Sequence, residues 1–151
     1  MNGIFFKLIA AHIIITIVTI LVMGLATNEA SFLLITTFSC MLYFYSGYAF
    51  TTIKTKWVNY FGICMIGIIF WFICFSLSPD STDYKRNIEA GNWLYYKLFV
   101  AVGSSLNFID FMNEPYNLNI ELVELLFIPV IISTLQFLGG KVKFYKIRQM
   151  N

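Results

Sequence analysis

Of the 151 residues, 59% are hydrophobic and 12% charged, for a mean hydropathy of +0.76. A soluble domain carries about 25% charged residues, so this chain cannot cover a globule with polar groups, and its length allows one small domain or bundle. The net charge of +2 gives no reason to expect a nucleic acid partner. The apolar runs are continuous rather than alternating, which excludes a transmembrane β-barrel. The expected fold class is therefore all-α, a polytopic membrane protein.

The first span is placed at residues 8–26, with Lys7 at its entrance. Gly24-Leu25-Ala26 resembles a small-x-small cleavage site, so a cleaved signal peptide is an alternative to a retained span. The apolar core is longer than the usual h-region of about 7–15 residues, which favours retention. The second span is placed at 31–50. Tyr43, Phe44, Tyr45 and Tyr48 crowd its second half and suit an aqueous interface. Ser46, Gly47 and Ala49 offer a small surface for close helix approach. The connection 51–57 carries Lys54 and Lys56 and no acid.

The third span, 58–77, begins after Trp57 and has no Asp, Glu, Lys, Arg or His; Cys64 and Cys74 lie within it. With Cys40 these are the three cysteines; they lie in apolar runs without a C-x-x-C, as small buried hydrophobes do. Pro79 ends this span, because proline disfavours helix in the residue before it. A polar loop with both signs of charge follows. The last span is placed at 120–138, with Pro129 expected to kink it and Gly139-Gly140 expected to end it. The remaining tail, 139–151, carries Lys141, Lys143, Lys146 and Arg148 and no acid.

Residues 93–112 are the ambiguous stretch. Read as a helix, Leu94, Leu98, Val102, Leu106 and Ile109 make one apolar stripe, while Lys97, Ser104, Asn107 and Asp110 lie mostly elsewhere. A charge at mid-bilayer costs about 2.5–3.5 kcal/mol on insertion scales. Charge sorting favours keeping this stretch on one side. With four spans, Lys7, Lys54, Lys56 and the four tail cations share a face without one acid. Glu29, Asp80, Asp83, Glu89, Asp110, Glu114, Glu121 and Glu124 fall on the other, together with Lys85, Arg86 and Lys97. The positive-inside rule then puts both termini in the cytoplasm. The expected architecture is four transmembrane helices forming a single bundle over 1–151. An outer loop at 78–119 contains an extracytoplasmic amphipathic or re-entrant helix at 93–112.

Candidate functional residues are few. His12 is the only histidine and lies within the first span, where an ionisable group is a functional hypothesis by default. The bland alternative is a neutral imidazole bonded to a neighbouring helix. Asp110, Glu121 and Glu124 suggest an acidic outer mouth for a cation or a basic peptide, although acids at a helix start also complement the macrodipole. Lys141, Lys143, Lys146 and Arg148, with Phe144 and Tyr145 between them, suit contact with anionic lipid or a partner. No catalytic motif and no metal-ligand spacing is present, so no cofactor and no catalysis are expected.

The composition has the look of an AT-rich bacterial genome. The first expectation is a small multi-pass protein of the plasma membrane that acts by binding, as an accessory, regulatory or immunity-type subunit. Its partners would be the bilayer and either a membrane protein or further copies of itself. The alternative is an oligomeric transporter or channel component using His12 and the acidic mouth. A membrane enzyme with outer carboxylates comes third, because two carboxylates without a base, metal ligand or nucleophile make no recognisable site.

Overall fold

The computed structural model describes residues 3–26, 28–77, 96, 99 and 124–150. Among these residues every regular element is helical. In chain order they are α1 (Gly3–Met23), α2 (Glu29–Phe50), a 3-10 turn (Trp57–Phe61) leading into α3 (Gly62–Leu77), and a 3-10 turn (Glu124–Leu126) leading into α4 (Phe127–Met150). Four stretches are long and apolar enough to cross a membrane: Gly3–Met23, Ala30–Phe50, Trp57–Leu77 and Phe127–Gln149. The described part of the fold is thus all-helical with four candidate spans, as the composition predicts. Of the stretch 93–112, only Tyr96 and Phe99 are among the described residues.

Local chemistry explains the helix ends. Asn28 caps α2: its side chain accepts from the Ser31 backbone N–H at 2.9 Å, and the Ser31 hydroxyl accepts from the Asn28 N–H at 3.2 Å. Two donors that the first helical turn leaves unpaired are satisfied reciprocally in this way. Inside the helices, hydroxyls bond to carbonyls of their own helix: Thr16 to His12, Thr36 to Phe32, Ser76 to Phe72 and Thr134 to Val130, each at 2.8–2.9 Å. This lets a hydroxyl sit in an apolar medium without an unmet donor.

The pairing of helices follows from specific contacts. Thr19 of α1 bonds Ser39 of α2 at 2.8 Å, and His12 lies against Tyr43, so these two helices are antiparallel. Cys64 N–H of α3 donates to Ser133 of α4 at 3.0 Å, and Gly67 packs on Pro129, so that pair is also antiparallel. Helices α2 and α4 run side by side in the same direction, with Ser46 meeting Gln136 and Ala49 meeting Lys143; where they cross, Gly47 lies against Gln136 and Gly139 against Phe44 and Tyr48. A Cβ placed on Gly47 would run into the backbone carbonyl of Gln136, and one on Gly139 into that of Phe44. The small surface expected around Ser46 and Gly47 is therefore where a backbone approaches.

Two expectations for the last span are corrected. Helix α4 does not end at Gly139-Gly140 but continues to Met150. These glycines are not a left-handed stop. Gly139 admits the α2 backbone, and Gly140 admits the Tyr60 ring. Pro129 does not kink a helix interior either, because α4 begins at Phe127 and places it in the first turn. There its missing N–H has no intrahelical acceptor to lose.

The register of α4 is displaced as a result. Its start packs on Gly67, the midpoint of Trp57–Leu77, and its far end runs past the end of α2 at Phe50.

The core and the surface divide unusually. The buried cluster contains Ile15, Tyr43, Ile63, Trp71, Leu125, Ile128 and Ile132. Large apolar side chains also cover the outside: Ile14, Leu21, Leu34, Phe38, Met41, Met65 and Phe72 are all exposed. Isolated apolar side chains are ordinary on a soluble surface. Such a coat on successive helices is what hydrocarbon solvates, and it accompanies an interior that holds most of the buried polar side chains.

Candidate functional site

His12 is buried at 1% exposure and both ring nitrogens have partners. Nε2 lies 2.6 Å from the carbonyl oxygen of Phe99, and Nδ1 lies 3.0 Å from the Tyr43 hydroxyl. A carbonyl only accepts, so Nε2 carries the hydrogen. In the neutral ring Nδ1 then accepts from the Tyr43 O–H. The Phe99 ring meets the imidazole edge at a centroid distance of 5.0 Å and the Phe70 ring at 5.1 Å. One side chain therefore ties α1 to α2 and to residue 99, which in turn rests on α3. Tyr43 was expected at the aqueous interface; it is instead buried at 3% exposure, because its hydroxyl finds a partner inside the bundle. Nothing in the sequence near His12 points to Tyr43 or Phe99, which lie 31 and 87 residues away.

A second polar layer lies nearer the start of α1. The Gln136 amide nitrogen faces the Ser46 hydroxyl at 3.2 Å and the Leu8 carbonyl at 3.4 Å, so α4 touches α2 and α1 at one point. Its Oε1 is buried with no hydrogen-bond partner among the described residues. Ser133, one turn earlier, is fully buried and accepts from α3. Sequence reasoning missed both residues. Their spacing of three on an otherwise apolar helix was the available signal.

The third feature is the end of the bundle where α1 and α3 start and α2 and α4 finish. Lys7, Lys54, Lys56, Lys141, Lys143, Lys146 and Arg148 all belong to segments at this end, and residues 30–79 and 125–151 contain no acid. Lys143 is used internally: its Nζ donates to the Ala49 carbonyl at 2.8 Å and sits 5.7 Å from the centre of the Tyr48 ring. It thereby caps the exposed carbonyls of α2 with positive charge.

Lys56, Lys141 and Arg148 line a groove of about 410 Å³ together with Trp57, Phe137 and Tyr145. The Tyr60 hydroxyl and Thr51 are hydrogen-bonded beneath it. The Thr51 hydroxyl donates to Gly47 at 2.6 Å, which leaves Tyr60 as the donor to Thr51. Lys146 does not line the groove.

The acidic mouth is not among these features. Asp110 and Glu121 lie outside the described residues, and Glu124 is described only as the first residue of a 3-10 turn. Among the described residues no three His, Cys, Asp or Glu side chains come together as a metal site. Four long apolar helices, apolar outer faces and polar groups joined inside fit a multi-pass helical membrane protein. Comparison with protein-family models, with curated proteins and with solved structures found no match.

Proposed function

We propose that this chain is a small multi-pass protein of a bacterial plasma membrane that acts by binding, as an accessory, regulatory or immunity-type subunit, with both termini in the cytoplasm. One contrast carries the reading. The membrane-buried polar side chains are largely turned toward one another, as at His12, whereas the basic and aromatic side chains at one end line an open groove. Interior groups so engaged hold helices together. Exposed groups of one charge are available to a partner. The rival reading, a transporter component working through His12, has less support where both nitrogens of that ring are already bonded.

The stretch 93–112 belongs to the same proposal. Tyr96 is buried and donates to the Leu125 carbonyl at 2.8 Å, and Phe99 reaches His12 near the middle of α1. These two anchors favour a segment inserted into the bundle from outside over one resting on the headgroups.

Orientation is tested by labelling intact cells with an impermeant thiol reagent. Single cysteines replace Ser81 and Gln149 in a chain lacking Cys40, Cys64 and Cys74. Ser81→Cys is expected to label from outside and Gln149→Cys only after lysis. Labelling of Gln149→Cys in intact cells overturns the orientation. The binding role is tested by crosslinking in native membranes and purification in mild detergent. A defined complex, with one membrane protein or with further copies of this chain, is the expected outcome. Recovery of a solitary monomer overturns the role.

A further inference from the structure

We propose that the basic groove between the start of α3 and the end of α4 is a site for one anionic glycerophospholipid. The argument begins with helix geometry. Lys141, Phe144, Tyr145 and Arg148 are spaced i, i+3, i+4 and i+7, so they form a single face of α4, and that face lines the groove. The opposite wall comes from the turn before α3, which supplies Lys56, Trp57 and Val58. Two elements far apart in sequence thus converge, each bringing cations and rings. The convergence depends on Gly140, since a Cβ there would collide with the Tyr60 ring that packs between them.

The occupant follows from charge and polarity together. Three cations and no acid line the cavity, so the ligand carries negative charge. Most of the remaining wall is apolar or aromatic, so the ligand also presents hydrocarbon. A phosphodiester headgroup with its acyl chains meets both demands, whereas an acidic peptide meets only the first. Trp57 and Tyr145 are exposed at this end, where rings of that kind settle at a membrane surface. A polybasic segment is drawn to an anionic leaflet without any cavity. That diffuse attraction treats every cation at this end alike. A built site does not, and the difference is measurable.

This inference rests on the membrane reading above, so retention of the chain in carbonate-washed membranes is checked in the same preparation. The full chain, delipidated in detergent, is titrated with phosphatidylglycerol or phosphatidylcholine, and bound lipid is counted by native mass spectrometry. One phosphatidylglycerol per chain is expected, held at least tenfold more tightly than phosphatidylcholine. The double variant Lys141→Gln/Arg148→Gln is expected to lose that tenfold preference. The charge-matched Lys7→Gln/Lys54→Gln, whose positions do not line the groove, is expected to keep it. Thermal unfolding of both variants without lipid checks that neither has lost its fold; if the first has, Lys56→Gln replaces it. Equal loss in the two doubles would mean diffuse attraction and overturn the site. Equal binding of both lipids overturns it as well, as does displacement of the lipid by inorganic phosphate or by a polyglutamate peptide.

Discussion

Replacing Gly47 with leucine is expected to unfold or separate the bundle, at a cost above about 3 kcal/mol, although local helix propensity predicts the opposite sign. Glycine inside a helix is about 0.5–1 kcal/mol worse than alanine, so a side chain at an unobstructed helical position should help. Gly47 is not such a position: the first atom of any side chain meets the Gln136 backbone. Overpacking against side chains usually costs about 1–3 kcal/mol because side chains can shift. A helix backbone cannot move aside without carrying α4 away from α2, which also parts Gln136 from Ser46 and Lys143 from Ala49. Gly139→Leu should behave the same way from the other side of the crossing. Gly3→Leu is the control, since nothing stands within 4 Å of its added Cβ. Unfolding in mixed detergent micelles, followed by tryptophan fluorescence, gives the comparison. If Gly47→Leu were as stable as Gly3→Leu, the close crossing of α2 and α4 would be wrong.

The second large effect is expected at His12. Changing it to leucine keeps the volume roughly constant and removes two bonds at once. The Phe99 carbonyl loses its donor, and the Tyr43 hydroxyl loses its acceptor. Leaving a buried group unsatisfied costs about 1–3 kcal/mol, whereas interhelical bonds within membranes average about 0.6 kcal/mol. A loss of about 2 kcal/mol is expected here: the Phe99 carbonyl is orphaned, while the Tyr43 hydroxyl loses one bond but keeps the Thr16 side chain beside it. The cycle with Tyr43→Phe separates them. A coupling of about 0.5–1.5 kcal/mol between positions 12 and 43 is expected, with the rest of the His12 loss persisting in the Tyr43→Phe background through Phe99. Zero coupling would show that the Tyr43 bond contributes nothing and that His12 is not the link between α1 and α2 described above.

Much of this architecture could be read from residue order. The apolar segments at 31–50 and 58–77 differ from the observed stretches, Ala30–Phe50 and Trp57–Leu77, by a single residue at their starts, whereas those placed at 8–26 and 120–138 are found at Gly3–Met23 and Phe127–Gln149. Hydrocarbon demands an uninterrupted apolar helix, and such a run is visible without knowledge of its neighbours. The last helix departs from its expected bounds because its markers have two meanings. Pro129 looked like an interior kink and sits in a first turn; Gly139-Gly140 looked like a stop and lies in continuous helix. Proline ends or begins helices, and glycine stops them or lets backbones meet. Which meaning applies depends on what stands opposite.

By itself, then, the sequence determined the class of fold, the number of apolar segments able to cross a membrane, the bounds of the second and third of them, and the clustering of acids apart from most bases along the chain. These depend on hydrophobicity and charge, which each residue carries wherever it is placed. Only the tertiary structure decided that α4 slides past the end of α2, that Tyr43 turns inward to His12, and that Lys56 joins Lys141 and Arg148 around one groove. Those outcomes come from pairings between segments 31, 87 or more residues apart, such as His12 with Phe99 and Lys143 with Ala49. In an apolar solvent such pairings are chosen by close packing and by the need of each polar group for a partner, and neither is a property of one residue alone.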